Sequence, residues 1–259
     1  MAHKVLVAAV PFQSLPASDP VLKEYLNYNP LHNMYTKRQN FPDRSPNETD
    51  RGGWRGYDRV YSKYLSSYKN SAINLLEVGI YYGYGVLAWQ RYFPQGQVTG
   101  IEVRYDVYKQ REYSTIESKY PEFKKVNLDF FDSTEPSQWS RYRNNSFDVI
   151  IDDGHHHPET QLSTFNNAWS KLKPGGLYFI EDISHKYGTD KIDKIDDLLY
   201  NLGKEGHTVD LFTHENLGLK HILETPALRK KQRIIPDAPF IYHEYIAVIH
   251  KKLKKENDE

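Results

Sequence analysis

Short apolar runs alternate with amphipathic segments from residue 56 onward, and this alternation constrains the fold more than any other feature. The apolar runs predict buried strands, and the segments between them have helical spacing. Strands that alternate with helices build right-handed βαβ units and a mainly parallel sheet covered on both faces. We therefore predict a doubly wound α/β fold with seven strands. The predicted strands are 73–78, 97–102, 123–128, 147–152, 177–180, 207–212 and 242–249. The predicted helices are 57–68, 86–93, 105–119, 137–142, 158–172 and 192–202.

Proline marks a change in organisation near residue 55. The first 55 residues carry prolines at positions 11, 16, 20, 30, 42 and 46 and few sustained apolar periods. This composition predicts an extended N-terminal arm over 1–55, with one short helix at 19–28. An apolar run at 5–10 is too short for a membrane span and is expected to be a strand or a docked arm. The main domain is then 56–250, followed by a charged tail at 251–259.

Charge and cysteine content exclude several function classes. The chain has 34 basic and 34 acidic residues, so no global charge attracts nucleic acid or an anionic membrane. It has no cysteine, which removes disulfides, thiolate metal sites and cysteine nucleophiles. We expect a cytoplasmic protein without nucleic-acid or membrane partners, and a homo-oligomer is compatible with the sequence. The 21 tyrosines suit a polar groove with aromatic walls or reflect a tyrosine-biased genome.

The first predicted strand ends in a glycine-punctuated turn, Glu77-Val78-Gly79-Ile80-Tyr81-Tyr82-Gly83-Tyr84-Gly85. A dinucleotide fingerprint needs Gly-x-Gly-x-x-Gly, and Tyr81 breaks that spacing. The observed Glu-x-Gly-x-x-x-Gly suits a ligand that has a carboxylate, an amine and a ribose but no phosphate. S-adenosylmethionine (SAM) has these groups, and Glu102 at the next strand end is placed to accept both ribose hydroxyls. An ordinary strand-to-helix turn is the alternative.

Two further acids, Asp129 and Asp132, follow the third predicted strand and flank two phenylalanines. An acid here is placed to accept the adenine amino group, while an aromatic neighbour stacks on the ring. The alternative is an N-cap for the next short helix. The predicted SAM-binding residues are Glu77, Gly79, Tyr81, Gly83, Glu102, Asp129, Asp132 and Asp152.

Carboxylates also gather at the next two strand ends, as Asp152-Asp153 and Glu181-Asp182. Adjacent strands bring these acids together, and clustered carboxylates repel one another unless protons or a cation neutralise them. Mg²⁺ or a similar divalent cation prefers oxygen ligands and leaves positions open for substrate oxygens and water. The alternative is a polar loop that caps the helix after Pro158. We predict the metal site.

Three consecutive histidines, His155 to His157, follow these acids. A cation lowers the pKa of a bound hydroxyl, a histidine can then take its proton, and the oxygen attacks the sulfonium methyl in line. A zinc site is the alternative. Consecutive side chains point in different directions, and no later His-x-x-x-His completes such a site.

The motifs over residues 49–185 together resemble the metal-dependent sugar O-methyltransferases of macrolide tailoring and a related cephalosporin-biosynthesis protein. The resemblance implies a Rossmann-like methyltransferase fold. It implies that Asp153, Glu181 and Asp182 bind the metal and that His156 is the base, with Asp153 taking part in catalysis. His155 stands where the family has serine, which leaves His155 as the other candidate base. Thr49-Asp50-Arg51 resembles a family Thr-Asp-Lys segment that is expected to close over the cofactor or substrate. The motifs that carry the resemblance are Leu76–Gly79, Gly100–Glu102, Ile151–His156 and Leu172–Asp182.

The sequence therefore predicts a SAM- and Mg²⁺-dependent O-methyltransferase that modifies a hydroxyl of a sugar or glycoside, either a small molecule or a glycan. A catechol or polyphenol O-methyltransferase with the same metal chemistry is the second hypothesis. A SAM-binding protein without catalytic activity is the third.

Overall fold

The computed structural model describes residues 9–11, 15–26, 57–184, 189–213 and 244–253 of the chain. Within these residues one sheet contains β1 (Ala9–Pro11), β2 (Asn74–Val78), β3 (Gln97–Glu102), β4 (Asn127–Phe130), β5 (Phe147–Asp152), β6 (Leu172–Ser184), β7 (Thr208–Thr213) and β8 (Glu244–His250). Their order is β1-β7-β8-β6-β5-β2-β3-β4. All neighbours run parallel except β8, which is antiparallel to both β6 and β7.

Helices cover both faces of this sheet. They are α1 (Pro20–Leu26), α2 (Tyr57–Leu65), α3 (Tyr84–Tyr92), α4 (Val107–Lys119), α5 (Pro158–Ala168) and α6 (Thr189–Lys204). Neighbouring strand residues point to opposite faces, so Phe179 packs with Trp89 on one side and Tyr178 packs with Phe165 on the other. The doubly wound, mainly parallel α/β fold is confirmed. β1 adds a short edge strand to the seven that were predicted.

The strand order reverses between β2 and β5. The chain proceeds from β2 outward to β3 and β4, then returns to place β5 and β6 on the other side of β2. Two crossover connections diverge at this point and leave a crevice beyond the carboxyl ends of the strands, which is where open α/β sheets bind ligands. The motifs of β2, β3, β5 and β6 all end at this edge.

Several predicted boundaries differ from those of the structure, and three of the differences have local reasons. The strand predicted at 123–128 begins at Asn127, because Pro121–Lys125 forms a 3-10 turn that buries Phe123 in the core. The helix predicted at 158–172 ends at Ala168 and passes through a 3-10 turn into β6. Strand β6 itself runs through the Pro-Gly-Gly segment at 174–176, which was predicted to lie between elements.

The described part of the predicted arm packs against the domain. Asp19 caps α1 by accepting hydrogen bonds from the backbone N–H groups of Val21 and Leu22, at 2.9 and 3.1 Å. Leu22 and Leu26 are buried in the core. Among the described helices, none has both the length and the apolar character required to cross a lipid bilayer. The 49–51 segment lies outside the described residues.

Candidate active site

A cavity of about 650 Å³ opens at the crevice beyond β2, β3 and β5. This volume is typical of small-molecule sites. Glu102 at the end of β3 forms one wall, and Asp153 and His156, which follow β5 on the other side of β2, form the other wall. The other lining residues are Val78, Gly79, Tyr81, Ile101, Val103, Arg104, Phe131, Asp132, Ser133, Thr134, Gly154, His155 and Thr160.

The glycine turn (residues 79–83) and Glu102 form the first wall as one hydrogen-bonded unit. Glu102 accepts from the backbone N–H of Tyr81 at 2.9 Å and from that of Val103 at 3.0 Å. Tyr81 has a φ of 47°, and its carbonyl oxygen accepts a hydrogen bond of 3.0 Å from the hydroxyl of Tyr113. These bonds fix a carboxylate at the cavity surface, where the sequence predicted a ribose acceptor.

The acidic loop (residues 153–157) packs directly on the glycine turn. Gly79 has a φ of 84°, and a Cβ added there would lie 2.3 Å from the carbonyl oxygen of Asp153. The N–H of Asp153 also donates to the carbonyl oxygen of Val78 at 3.0 Å. Only glycine permits both the conformation and the close approach. This contact brings the two walls to one cavity.

Asp153, His156 and Asp182 form a cluster with the donor types of a metal site. One potential ligand atom from each lies within 4.8 Å of the others. The Nε2 atom of His156 is 4.0 Å from Oδ1 of Asp153 and 3.5 Å from Oδ2 of Asp182. Asp182 occupies an irregular point of β6, with a φ of 53° and a shift in pairing register between Ile180 and Ile183.

His156 has different surroundings from the histidines on either side of it. The His156 ring faces the two aspartates, whereas Nδ1 of His155 is 3.3 Å from the Thr160 hydroxyl. His157 is the residue before α5, and its ring stands parallel to that of His155 at 6.1 Å. The geometry therefore places His156 next to the acids.

Glu181 lies beside this cluster but is not one of the three residues in it. Its side chain is 1% exposed and accepts a hydrogen bond at Oε1 from the Tyr61 hydroxyl. Its carbonyl oxygen accepts from Gln161 at 2.8 Å. The neighbouring Tyr57 donates to Oδ1 of Asp182 at 2.6 Å. Sequence reasoning did not assign the two tyrosines to the metal site, although their spacing of one helical turn was a visible signal.

Several predicted cofactor residues lie away from the cavity lining. Asp129 instead accepts from the Tyr142 hydroxyl at 2.5 Å and from Arg141 at 3.3 Å. Glu77 and Asp152 are buried, at 1% and 2% exposure. Gly83, with a φ of 85°, precedes α3 as its N-cap. Of the predicted set, Gly79, Tyr81, Glu102 and Asp132 line the cavity.

Burial determines the protonation of Asp152. Desolvation raises the pKa of this carboxyl to about 7, the Gly154 N–H partly opposes that rise, and the charge of Glu181 adds to it. Oδ1 of Asp152 accepts the Gly154 N–H at 3.3 Å. This hydrogen bond joins the Asp152 side chain to the backbone of the acidic loop.

Asp132, which lines the cavity, accepts at Oδ1 from the N–H and the hydroxyl of Thr134, at 2.9 and 2.7 Å.

Comparison with known proteins adds an independent observation to this geometry. Residues 76–183 match the family model of a methyltransferase domain. This match includes the glycine turn, Glu102, the acidic loop and Glu181-Asp182.

Curated relatives carry the resemblance further. The chain is 26% identical over 149 residues to 8-demethyl-8-alpha-L-rhamnosyl tetracenomycin-C 2'-O-methyltransferase of Streptomyces olivaceus, covering 54% of this chain and 36% of that protein. It is 30% identical over 149 residues to L-olivosyl-oleandolide 3-O-methyltransferase of Streptomyces antibioticus, with the same two coverages. The predicted resemblance to sugar O-methyltransferases is confirmed, and the matched region spans little more than a third of either relative.

A solved structure shares the fold. MycE methyltransferase from the mycinamycin biosynthetic pathway, in complex with Mg and SAH, superimposes with a TM-score of 0.51 at 20% identity. The alignment covers 90% of this chain and 58% of that one. A second crystal structure of MycE, with Mg, SAH and mycinamycin VI, gives a TM-score of 0.52 at 18% identity. At this identity the likeness supports the Rossmann-like methyltransferase fold.

Proposed function

We propose that this protein is a SAM- and Mg²⁺-dependent O-methyltransferase that modifies a hydroxyl of a sugar or glycoside. One observation carries the proposal. The cluster of Asp153, His156 and Asp182 adjoins the same cavity whose other wall presents Glu102. A methyl donor on one side and an activated hydroxyl on the other require this arrangement.

The donor set fits a hard divalent cation. Asp153 and Asp182 supply carboxylate oxygens, which Mg²⁺ prefers, and Glu181, next to Asp182 in the chain, adds a third carboxylate. Close carboxylates destabilise one another without a positive charge between them. We assign Asp153 and Asp182 as metal ligands, and Glu181 as the third ligand proposed from the sequence.

The opposite wall fits SAM. Glu102 presents a carboxylate that backbone N–H groups hold in place, and Asp132 and Phe131 line the cavity beyond it. We assign the ribose to Glu102 and the adenine to the Phe131–Asp132 side. Gly79 and Tyr81 contribute the backbone of the glycine turn to the SAM site.

His156 is the proposed general base. When bound, SAM supplies an electrophilic methyl group, and the divalent cation supplies a charge that lowers the pKa of the acceptor hydroxyl. His156 takes the hydroxyl proton at Nε2, and the carboxylates at 3.5 and 4.0 Å stabilise the resulting imidazolium. With SAM bound, the methyl group would pass from the sulfonium sulfur to the acceptor oxygen, whose proton His156 would hold, and S-adenosylhomocysteine would be the product. Binding donor and acceptor in one cavity would let positioning contribute much of the rate.

The relatives support one acceptor class. The Streptomyces proteins compared above bear names of sugar O-methyltransferases, which favours a glycoside over a catechol. A small-molecule or glycan acceptor, a cytoplasmic location, a homo-oligomeric state and the absence of nucleic-acid partners stay predictions of the sequence.

Methyl transfer from labelled SAM to paired panels of glycosides and catechols tests the proposal. We expect transfer to glycosides that EDTA abolishes and added Mg²⁺ restores, and that Asp153→Asn reduces at least a hundredfold. Asp197→Asn, on the exposed face of α6, is the matched control. Transfer that persists in EDTA and in Asp153→Asn would refute the metal role. Transfer to catechols alone would replace the acceptor class, and SAM binding without any transfer would favour a non-catalytic protein.

A further inference from the structure

We infer that Tyr57 and Tyr61 are positioning residues that orient the metal-site acids through hydrogen bonds from helix α2. Tyr57 donates to Oδ1 of Asp182 at 2.6 Å, and Tyr61 donates to Oε1 of Glu181. The inference rests on the proposed function, because it concerns how that site holds its cation.

The two tyrosines belong to a polar stripe on one face of α2. Tyr57, Tyr61 and Tyr64 stand at positions i, i+4 and i+7, which share one face of a helix. Each donates its hydroxyl to a carboxylate of the sheet, and the third bond joins Tyr64 to Asp210 of β7. This stripe packs over the sheet face against Phe179 and Phe212, and it supplies hydrogen-bond donors to two consecutive acids of β6.

The bond from Tyr57 gives the two oxygens of Asp182 different surroundings. Oδ1 is held by the phenol, whereas Oδ2 lies 3.5 Å from Nε2 of His156 and within the cluster. A carboxylate held in this way presents one defined oxygen to a cation and cannot rotate to present both. Hydrogen bonds from outer residues to ligating carboxylates fix orientation in this manner and contribute about 10- to 100-fold to metal affinity.

The tyrosine rings are themselves fixed by packing. Tyr57 and Tyr61 are 1% and 0% exposed. The ring of Tyr61 lies 4.8 Å from that of Trp89 and 4.9 Å from that of Phe179, measured between centroids. Neither ring can therefore move its phenol oxygen away from the acid without displacing core side chains.

Tyr64 offers a matched control on the same helix. Its hydroxyl makes the same type of bond to a sheet carboxylate, but Asp210 is on β7 and outside the cluster. Removing any of the three hydroxyls costs a hydrogen bond, which is buried at Tyr57 and Tyr61 and partly buried at Tyr64. Only the loss at Tyr57 or Tyr61 touches an acid of the metal site, so metal affinity separates positioning from simple stabilisation.

The experiment measures Mn²⁺ binding to the full chain without SAM, by electron paramagnetic resonance of free Mn²⁺, alongside thermal unfolding in EDTA. We expect Tyr57→Phe and Tyr61→Phe each to weaken Mn²⁺ binding at least tenfold. All three variants should lower the melting temperature by similar amounts. Only Tyr64→Phe should keep its Mn²⁺ affinity within twofold of the wild type. SAM affinity, measured by calorimetry, should be unchanged in all three variants.

Each result has a distinct meaning. Wild-type Mn²⁺ affinity in a folded Tyr57→Phe protein would overturn the role of Tyr57, and the same holds separately for Tyr61. If Tyr57→Phe does not fold, Tyr61→Phe decides the inference. Equal weakening by Tyr64→Phe would show a general stability effect and overturn positioning. Absence of Mn²⁺ binding in the wild type would refute the metal in the proposed function, and the inference would fall with it.

Discussion

Gly79 and the Asp153 carbonyl oxygen are so close that a Cβ on residue 79 would lie 2.3 Å from that oxygen. The glycine turn and the acidic loop therefore touch through backbone alone. Any side chain at this position must separate the two walls of the cavity, so the contact is open to a direct test.

We predict that Gly79→Ala destabilises the protein and weakens both SAM and Mn²⁺ binding. The positive φ alone costs about 1–2 kcal/mol for a residue with a Cβ, and the clash adds to this. Thermal unfolding and calorimetry measure the two effects. Gly203→Ala in α6 is the control, because a Cβ there meets nothing within 4 Å. It should be neutral or slightly stabilising. Normal binding of both ligands by Gly79→Ala would contradict the packing described.

Glu102→Gln should weaken SAM binding about 10- to 100-fold, the range expected when a buried charge-assisted hydrogen bond is lost. In the wild type both carboxylate oxygens accept hydrogen bonds from backbone N–H groups. In the variant the amide NH₂ would face one of these N–H donors. Calorimetric titration with SAM measures the effect. Mn²⁺ affinity is the internal control, since Glu102 belongs to the opposite wall. A loss confined to Mn²⁺ would reverse the assignment of the two walls.

Mutation of Asp132 should affect SAM affinity, whereas mutation of Asp129 should affect stability. Asp132 lines the cavity, so Asp132→Ala should reduce SAM affinity. Asp129 instead accepts from Tyr142, whose pKa is raised first by burial and then by this bond. Asp129→Ala should lower the free energy of unfolding by ~1–2 kcal/mol and leave SAM affinity within twofold. Urea denaturation and SAM titration of both variants measure these changes, and loss of SAM affinity in Asp129→Ala would restore its predicted role.

His207 should contribute a pH-dependent part of the stability. Desolvation lowers its pKa below the usual 6.5, the charge of Glu205 opposes this, and the two lysines nearby lower it further. Its Nδ1 accepts the Lys252 N–H at 3.0 Å, which requires the neutral ring. The unfolded chain therefore takes up a proton first as pH falls through 6.5, so this contribution is complete above that pH and is lost below it.

The measurement compares urea denaturation at pH 7.5 and pH 5.5 in the wild type and in His207→Gln. We expect the variant to lose less stability on acidification than the wild type does. Other titrating groups are common to both proteins and cancel in the double difference. An equal loss in both proteins would mean that His207 does not titrate differently on folding.

The fold was largely predictable because β2, β3 and β5 are short apolar runs with clear ends. Local strand and helix patterns determine which residues lie at the carboxyl edge, so Glu102, Asp153 and Asp182 could be placed near one another without coordinates. The boundaries that failed depend on tertiary packing. Phe123 is buried through a 3-10 turn that no periodicity indicates. Strand β6 begins at Leu172, which pairs with Phe147 of β5, and the register shifts across Pro174 before pairing resumes at Leu177.

Side-chain direction was the part of the site that the sequence could not provide. Asp129 and Asp132 both follow the predicted third strand, yet Asp129 lies within β4 and contacts Tyr142, whereas Asp132 lines the cavity. Glu181 and Asp182 are adjacent, and a shift in strand register decides which joins His156. Such differences depend on backbone angles at single residues, such as the φ of 53° at Asp182.

The polar stripe of α2 lies before residue 76, where the match to the methyltransferase family model begins. The acids at 181 and 182 are inside the matched segment, but the phenols that hold them are outside it. A chain recognised by that segment alone would display the acids and give no information about their donors. Comparisons across such proteins should therefore align the preceding helix as well, because the acids and the tyrosines that donate to them together define the site.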